Sequence, residues 1–249
     1  MDMNFFKTCL VICAALFLVA CGGGGGCSSA ASCAASAGGT GTFTATPASA
    51  VSVAIGQGDT IETTAVDIKY KKRFAVTVSD ASGLPVVGAK VSAKVLMSGF
   101  FKGRLFRDAM NKVIGSGIAA STSGAGSNTP VGDEVFCPSE DLNKNDIKDP
   151  GEDVNGDGIL TPARAEVVAA IEGSDITNAQ GIVFVVVEYT KEKAIWLEYE
   201  LQATASVTGT EGVASKTQRT SFVVGDEEKP SAQFVYSPYG ITAGCDNID

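Results

Sequence analysis

Between Tyr70 and Val78 apolar and polar residues alternate, Tyr70, Phe74, Val76 and Val78 falling on one parity and Lys71, Arg73, Ala75 and Thr77 on the other. A period of two places each set on one face of a β-strand, so this strand buries one face. The same pattern recurs at Val91, Ala93, Val95 and Met97, with Ser92, Lys94 and Leu96 between them, and it runs strictly through Ile195, Leu197, Tyr199, Leu201, Ala203, Ala205 and Val207. Ile182 to Tyr189 reads as a core strand without a break, and Ala214 to Val224 reads as the last strand. Thr42 to Ile55, rich in Thr, Ala and Val, forms the first and ends at a Gly56-Gln57-Gly58-Asp59 turn. Trp196 falls on the face opposite the leucines and is read as packing.

A helical period occurs once. Phe101, Leu105, Ala109 and Val113, flanked by Phe106, Met110 and Ile114, oppose Arg104, Arg107 and Lys112, which predicts one short helix. Ala165 to Ile171 alternates like a strand, and Val167 and Val168 favour that over the helix that Thr161-Pro162 could open. Residues 98–177 then read as an insertion within a single sandwich. Removing most of them leaves a little over 100 residues, about the size of an Ig-type domain. The fold class is all-β, an Ig-like sandwich over residues 42–225 with a long inserted loop.

Two turns carry a resemblance. The string VTVSDASGLPVVGAKVSAKV, Val76 to Val95, is similar to the D-x-x-G-x-P-V-x-G-A-x-V signature of bacterial Ig-like domains of the invasin/intimin type. Gly83 supplies a positive φ, Pro85 suits a strand start or edge, and Gly88 permits a bulge. Thr177-Asn178-Ala179-Gln180-Gly181 stands where that family shows a D-x-x-G-x-A turn, with Asn178 and Val183 as departures. The resemblance covers Thr42 to Met97 and Gly181 to Val224. It implies a surface-display or scaffolding module.

The insertion holds the strongest chemical signal. Residues 140–164 contain two registers of twelve, DLNKNDIKDPGE and DVNGDGILTPAR, which align Asp141 with Asp153, Asn143 with Asn155 and Asn145 with Asp157. In the first, Asp141, Asn143, Asn145, Asp149 and Glu152 place oxygens at positions 1, 3, 5, 9 and 12, the spacing with which an EF-hand-type loop wraps a hard cation. The second offers Asp153, Asn155 and Asp157 and a turn glycine, Gly158, but ends in Arg164. The first has Asp146 in place of that glycine. Each register thus lacks something, so the two are expected to share ligands for one or two calcium ions, as in repeats that resemble dockerin or thrombospondin loops. Magnesium would recruit fewer side chains and zinc would want nitrogen or sulfur. Between Asp133 and Asp157 nine carboxylates oppose two lysines, seven of the nine net negative charges of the chain. Such crowding repels unless a cation or open solvent intervenes.

At the other end, Lys7 and the apolar run Cys9 to Ala20 read as a signal peptide, residues 1–20. Leu18-Val19-Ala20-Cys21 resembles the lipobox of bacterial lipoproteins, which implies cleavage before Cys21 and lipidation there. Gly22, rather than aspartate, after that cysteine implies sorting to the outer membrane of a Gram-negative bacterium. Residues 21–41 form a Gly/Ser/Ala tether with an r.m.s. reach of about 25 Å. Its Cys27 and Cys33 pair with each other, stay free or cross-link to a second chain; the sequence leaves these alternatives open.

Composition narrows the function. With 249 residues, 45% hydrophobic and 19% charged, the chain can build a sizeable core, and its net charge of −9 argues against nucleic acid as a partner. The chain has no histidine, which removes the commonest general base and His-ligated zinc. Residues 226–249 carry Phe234, Tyr236 and Tyr239, expected to dock on the domain. Cys137 and Cys245 are the only cysteines beyond the tether and are expected to form a disulfide. The reading is a non-enzymatic envelope lipoprotein, held to a membrane by its lipid, with a structural, adhesive or assembly role. The alternative is a calcium-dependent module for a carbohydrate or protein ligand, with Phe136 as the nearby aromatic.

Overall fold

A computed structural model describes residues 51–118, 132–229 and 232–247. The signal peptide, Cys21, Cys27, Cys33 and the tether lie outside the described residues. Ten strands follow in order: β1 (Ser52–Thr63), β2 (Lys69–Ser79), β3 (Lys90–Lys102), β4 (Arg104–Arg107), β5 (Val113–Gly117), β6 (Val135–Pro138), β7 (Val167–Glu172), β8 (Ile182–Thr190), β9 (Leu197–Val207) and β10 (Thr210–Arg219). Helical structure among the described residues is limited to three-residue 3-10 turns, one of them at Arg164–Glu166 just ahead of β7.

The fold is an all-β sandwich of two antiparallel four-stranded sheets, in the orders β1-β2-β8-β7 and β10-β9-β3-β6. Leaving aside the β4–β5 hairpin, this is the ABED and GFCC′ order of the immunoglobulin fold. The inward rows are those of the alternating patterns: Tyr70, Phe74, Val76 and Val78 on β2, Val183, Val185, Val187 and Tyr189 on β8, and Leu197 to Ala205 on β9. Lys72 occupies the same inward row of β2 and is buried over the Phe74 ring. On β3 a register shift between Met97 and Gly99 reverses the parity, so Phe100 turns inward where strict alternation would have sent Phe101. Gly99 is required there, because a Cβ would lie 2.3 Å from the Cys137 carbonyl oxygen.

The two signature turns meet at one end of the β1-β2-β8-β7 sheet. Asp80 Oδ1 accepts the Ser82 and Leu84 amides, Asn178 Oδ1 accepts those of Gln180 and Ile182, and Val78 N–H donates to the Gly181 carbonyl. Gly181 has φ 71°, and a Cβ there would strike Val78 O and Pro85.

Several expectations are corrected. The helical spacing of residues 101–114 gives no helix; it gives the β4–β5 hairpin, turned by Asp108, whose Oδ1 accepts the Met110 and Lys112 amides. Leu105 and Phe106 are both buried, because the C-terminal segment covers one side of β4: Leu105 N–H donates to the Val235 carbonyl. The expected turn at residues 56–59 lies inside β1, as an irregularity between Gln57 and Ile61. The last strand ends at Arg219, not Val224. Residues 98–177 are not simply an insertion, since β6 and β7 complete one edge of each sheet.

The tail docks through named contacts. Phe234 and Tyr239 are buried, whereas the Tyr236 side chain stays exposed and only its backbone bridges Arg104. Trp196 is fully buried and its indole N–H donates to the Phe234 carbonyl at 2.9 Å. Asp226 accepts the Tyr70 hydroxyl at 2.7 Å and faces the Lys191 ammonium at 3.5 Å. Cys137 and Cys245 are joined by a disulfide, Cα to Cα 5.5 Å.

Candidate metal centre

The two registers fold alike, position by position. Asp141 Oδ2 accepts the amide of Asp146 and Asp153 Oδ2 that of Gly158, each from position 1 to position 6. Asn143 accepts from Asn145 as Asn155 does from Asp157, and Asn145 accepts from Ile147 as Asp157 does from Ile159. Positive φ falls at positions 4 and 6 of both: Lys144 60° and Asp146 62°, Gly156 74° and Gly158 90°. Aspartate tolerates that conformation better than most residues, so Asp146 stands in for the turn glycine the sequence lacked.

The two glutamates link the loops. Glu140 and Glu152 are each 5% exposed. Glu140 Oε1 accepts the Val154 and Asn155 amides at 3.0 Å and its Oε2 accepts the Thr161 amide at 2.9 Å. Glu152 Oε1 accepts the Leu142 amide at 3.1 Å and its Oε2 the Asp149 amide at 2.9 Å. Each glutamate therefore clamps positions 2 and 9 of one register, Glu140 holding the second and Glu152 the first.

This arrangement supplies what the second register was missing. The carboxylates of Glu140, Asp153 and Asp157 each bring an oxygen within 4.8 Å of the others, the one such trio among the described residues. Glu140 brings a third carboxylate to Asp153 and Asp157, and Arg164, at position 12, pairs with Asp146. Thr161, buried at position 9, adds a hydroxyl 3.4 Å from Asp157 Oδ2 and 3.3 Å from Asn155 Nδ2. Glu140 was not among the expected ligands. The signal was present one residue earlier than the registers were drawn, because Glu-Asp-x-Asn occurs at both 140–143 and 152–155.

The first register is arranged differently at its donors. The Asn143 and Asn145 amide groups both donate to Asp149 Oδ2, at 2.7 and 3.1 Å, whereas backbone engages both carboxylate oxygens of Glu152 just as it does those of Glu140. Asp141, Asn143, Asn145, Asp149 and Glu152 thus form one hydrogen-bonded turn, and only Asp153 and Asp157 of the expected acids enter the carboxylate trio. Asp153 also abuts the first register, since Lys148 reaches its Oδ2 at 3.2 Å.

One atom bears directly on whether a cation fits. Asp153 Oδ1 is buried and has no hydrogen-bond partner. A buried carboxylate oxygen without a partner is costly, and a hard cation among three carboxylates, an amide oxygen and a hydroxyl would satisfy it. Burial would raise the Asp153 carboxyl; the Lys148 ammonium and the Gly158 and Gly156 amides outweigh it and hold the group below its ordinary range, ionised as a ligand must be. Lys144 ties the loop to β9 through Glu200 at 2.9 Å, and Ser139 N–H ties it to β3 through the Ser98 carbonyl. Phe136 lies on β6 with its ring against Phe101 at 5.1 Å. Comparison with family models and with curated proteins finds no match for this chain.

Proposed function

We propose that this chain is a non-enzymatic cell-envelope lipoprotein, lipidated at Cys21, whose tether presents a calcium-stabilised Ig-like domain of the invasin/intimin type for a structural, adhesive or assembly role at the outer membrane. The observation that carries the calcium reading is the buried, unpartnered Asp153 Oδ1 beside Glu140 and Asp157. Asp153, Asn155, Asp157, Thr161 and Glu140 would hold the ion, and the turn of Asp141, Asn143, Asn145, Asp149 and Glu152 would buttress it or take a second. Bound calcium would neutralise the clustered carboxylates and order the loop. The sandwich itself rests on apolar burial and needs no metal to persist. Support for the anchor is the Leu-Val-Ala-Cys context and the glycine-rich stretch that follows.

Two measurements test the reading. Calorimetry and hydrogen exchange with calcium against chelator should show a higher melting temperature with metal and slower exchange confined to residues 139–161. At a free calcium of 100 times the dissociation constant the gain is about 2.7 kcal/mol. Unchanged melting and exchange at millimolar calcium would leave only a solvated acidic loop. Separately, Cys21→Ser should release the protein from membranes; continued membrane fractionation, with no labelled palmitate taken up by wild type, would overturn the lipoprotein reading.

A further inference from the structure

β3 is paired along most of its length on one side and only at one end on the other. β9 covers it from Lys90 to Phe100, whereas β6 covers Gly99 to Lys102 alone. At the near end, Val91 N–H donates to the Asp175 carbonyl at 2.7 Å and the Ala89 carbonyl accepts from Thr177, so these outward groups are satisfied. At the far end the Ser98 carbonyl accepts from Ser139. In an antiparallel strand both backbone groups of a residue point to the same side and alternate along the chain. Val91 points outward, so Ala93 and Val95 do too. Among the described residues nothing pairs with their N–H and C=O groups on that side.

That gap opens into a groove. A cavity of about 400 Å³ runs between β3 at Ala93–Val95 and β7 at Val167–Ala169. It shares Arg164 with a second cavity, of about 430 Å³, that continues beside Leu96 and the acidic loop. The floor is aliphatic. Of the basic side chains that line the two, Lys144, Lys148 and Arg164 are already paired, with Glu200, Asp153 and Asp146, and Lys94 stands exposed beside Ala93 and Val95.

We propose that this groove takes an extended peptide of another protein as an added strand on the free edge of β3. Donors and acceptors presented at every second residue are complemented by another strand and by little else. The bounded gap, from Val91 to Ser98, limits the pairing to a short segment. Its inward side chains must be small or β-branched to lie on Ala93, Val95, Val167 and Ala169, and an acidic residue on its outward row meets Lys94. The assignment rests on β3 and β7 and not on metal in the loop.

The test selects displayed random octapeptides on the full-length protein, with and without calcium, and resynthesises those recovered. Selected peptides should carry aliphatic residues at every second position, with an acidic residue on the other row facing Lys94, and should slow exchange of the Ala93 and Val95 amides. N-methylation of every second peptide nitrogen should weaken binding about tenfold or more when it removes the N–H groups facing β3, and little when it removes the other set. Ala93→Pro, which removes an outward donor and leaves the β9 ladder intact, should abolish selection while the variant stays folded by circular dichroism. Peptides that bind without protecting Ala93 and Val95, or that tolerate either N-methyl set equally, would overturn the proposal. So would self-association of the chain through this same edge in sedimentation. Loss of peptide binding only without calcium would still support the groove, whereas failure of the calcium reading leaves the N-methyl comparison intact.

Discussion

Glu140 and Glu152 stand at equivalent places in a repeat and hold opposite loops: Glu140 accepts three amides of the second register, and Glu152 accepts two of the first. Each register is thus held by the glutamate that immediately precedes the other.

Neutralising either acid should loosen one register more than the other. Hydrogen bonds to a charged acceptor contribute about 1.5–3 kcal/mol. Glu140→Gln should speed exchange at Val154, Asn155 and Thr161, and Glu152→Gln at Leu142 and Asp149. Hydrogen exchange resolved by residue reads both, and equal acceleration across the two registers in either variant would refute the exchange of partners.

Trp196 is enclosed by the core and by the tail, so its replacement tests both. Trp196→Ala should cost about 3–5 kcal/mol. Trp196→Phe keeps most of the volume but strands the Phe234 carbonyl, at about 1–3 kcal/mol. Urea unfolding measures each; a Trp196→Phe variant as stable as wild type would mean that the indole hydrogen bond contributes nothing.

Removing the disulfide with Cys137→Ala and Cys245→Ala opens a sequence separation of 108 residues. The chain-entropy estimate for such a loop is on the order of 4 to 5 kcal/mol, an upper guide. The tail should nonetheless stay docked, because Ser237 N–H and Oγ–H donate to the Gly103 and Phe101 carbonyls and Gly103 N–H donates to Gly240. Lower stability with unchanged protection at Gly103 and Leu105 is the expected pair of results. Loss of that protection would show the tail to be held by sulfur alone.

Alkali should destabilise the domain before it ionises the core. Burial is the largest cause that holds the phenols of Tyr70, Tyr189, Tyr199 and Tyr239 above their ordinary range; it is joined by Asp226 at Tyr70 and Glu166 at Tyr239, and Tyr189 is pushed up to about 12. The folded state keeps protons that the unfolded chain releases near pH 10. This stabilisation is complete below about pH 10 and is lost progressively as pH rises above it. Urea midpoints between about pH 8 and about pH 11 should fall only beyond that point, and a flat profile would contradict the burial of these hydroxyls.

Residues 51–118 and 132–229 divide cleanly between what local pattern decides and what packing decides. The strands at β2, β3 and β9 are legible because a period of two is a local property, and it sends every second side chain inward wherever the sheet ends up, while β8 is legible from its continuous apolar run over residues 182–187. The twelve-residue repeat was legible for the same reason: Asx turns from positions 1, 3 and 5 close within a few residues. Phe101 to Ile114 misled because Leu105 and Phe106 are buried from opposite sides, one side being a tail more than 100 residues downstream, and consecutive apolar residues then imitate a helical face. Glu140 escaped because its partners lie 14 to 21 residues away in a loop that must first fold before it presents its amides. The side of β3 at Ala93 and Val95 that no described residue pairs is likewise a product of topology. Alternation alone marks β3 as a strand, and only the place of β6 and β7 in their sheets leaves part of it without a hydrogen-bonded strand among the described residues.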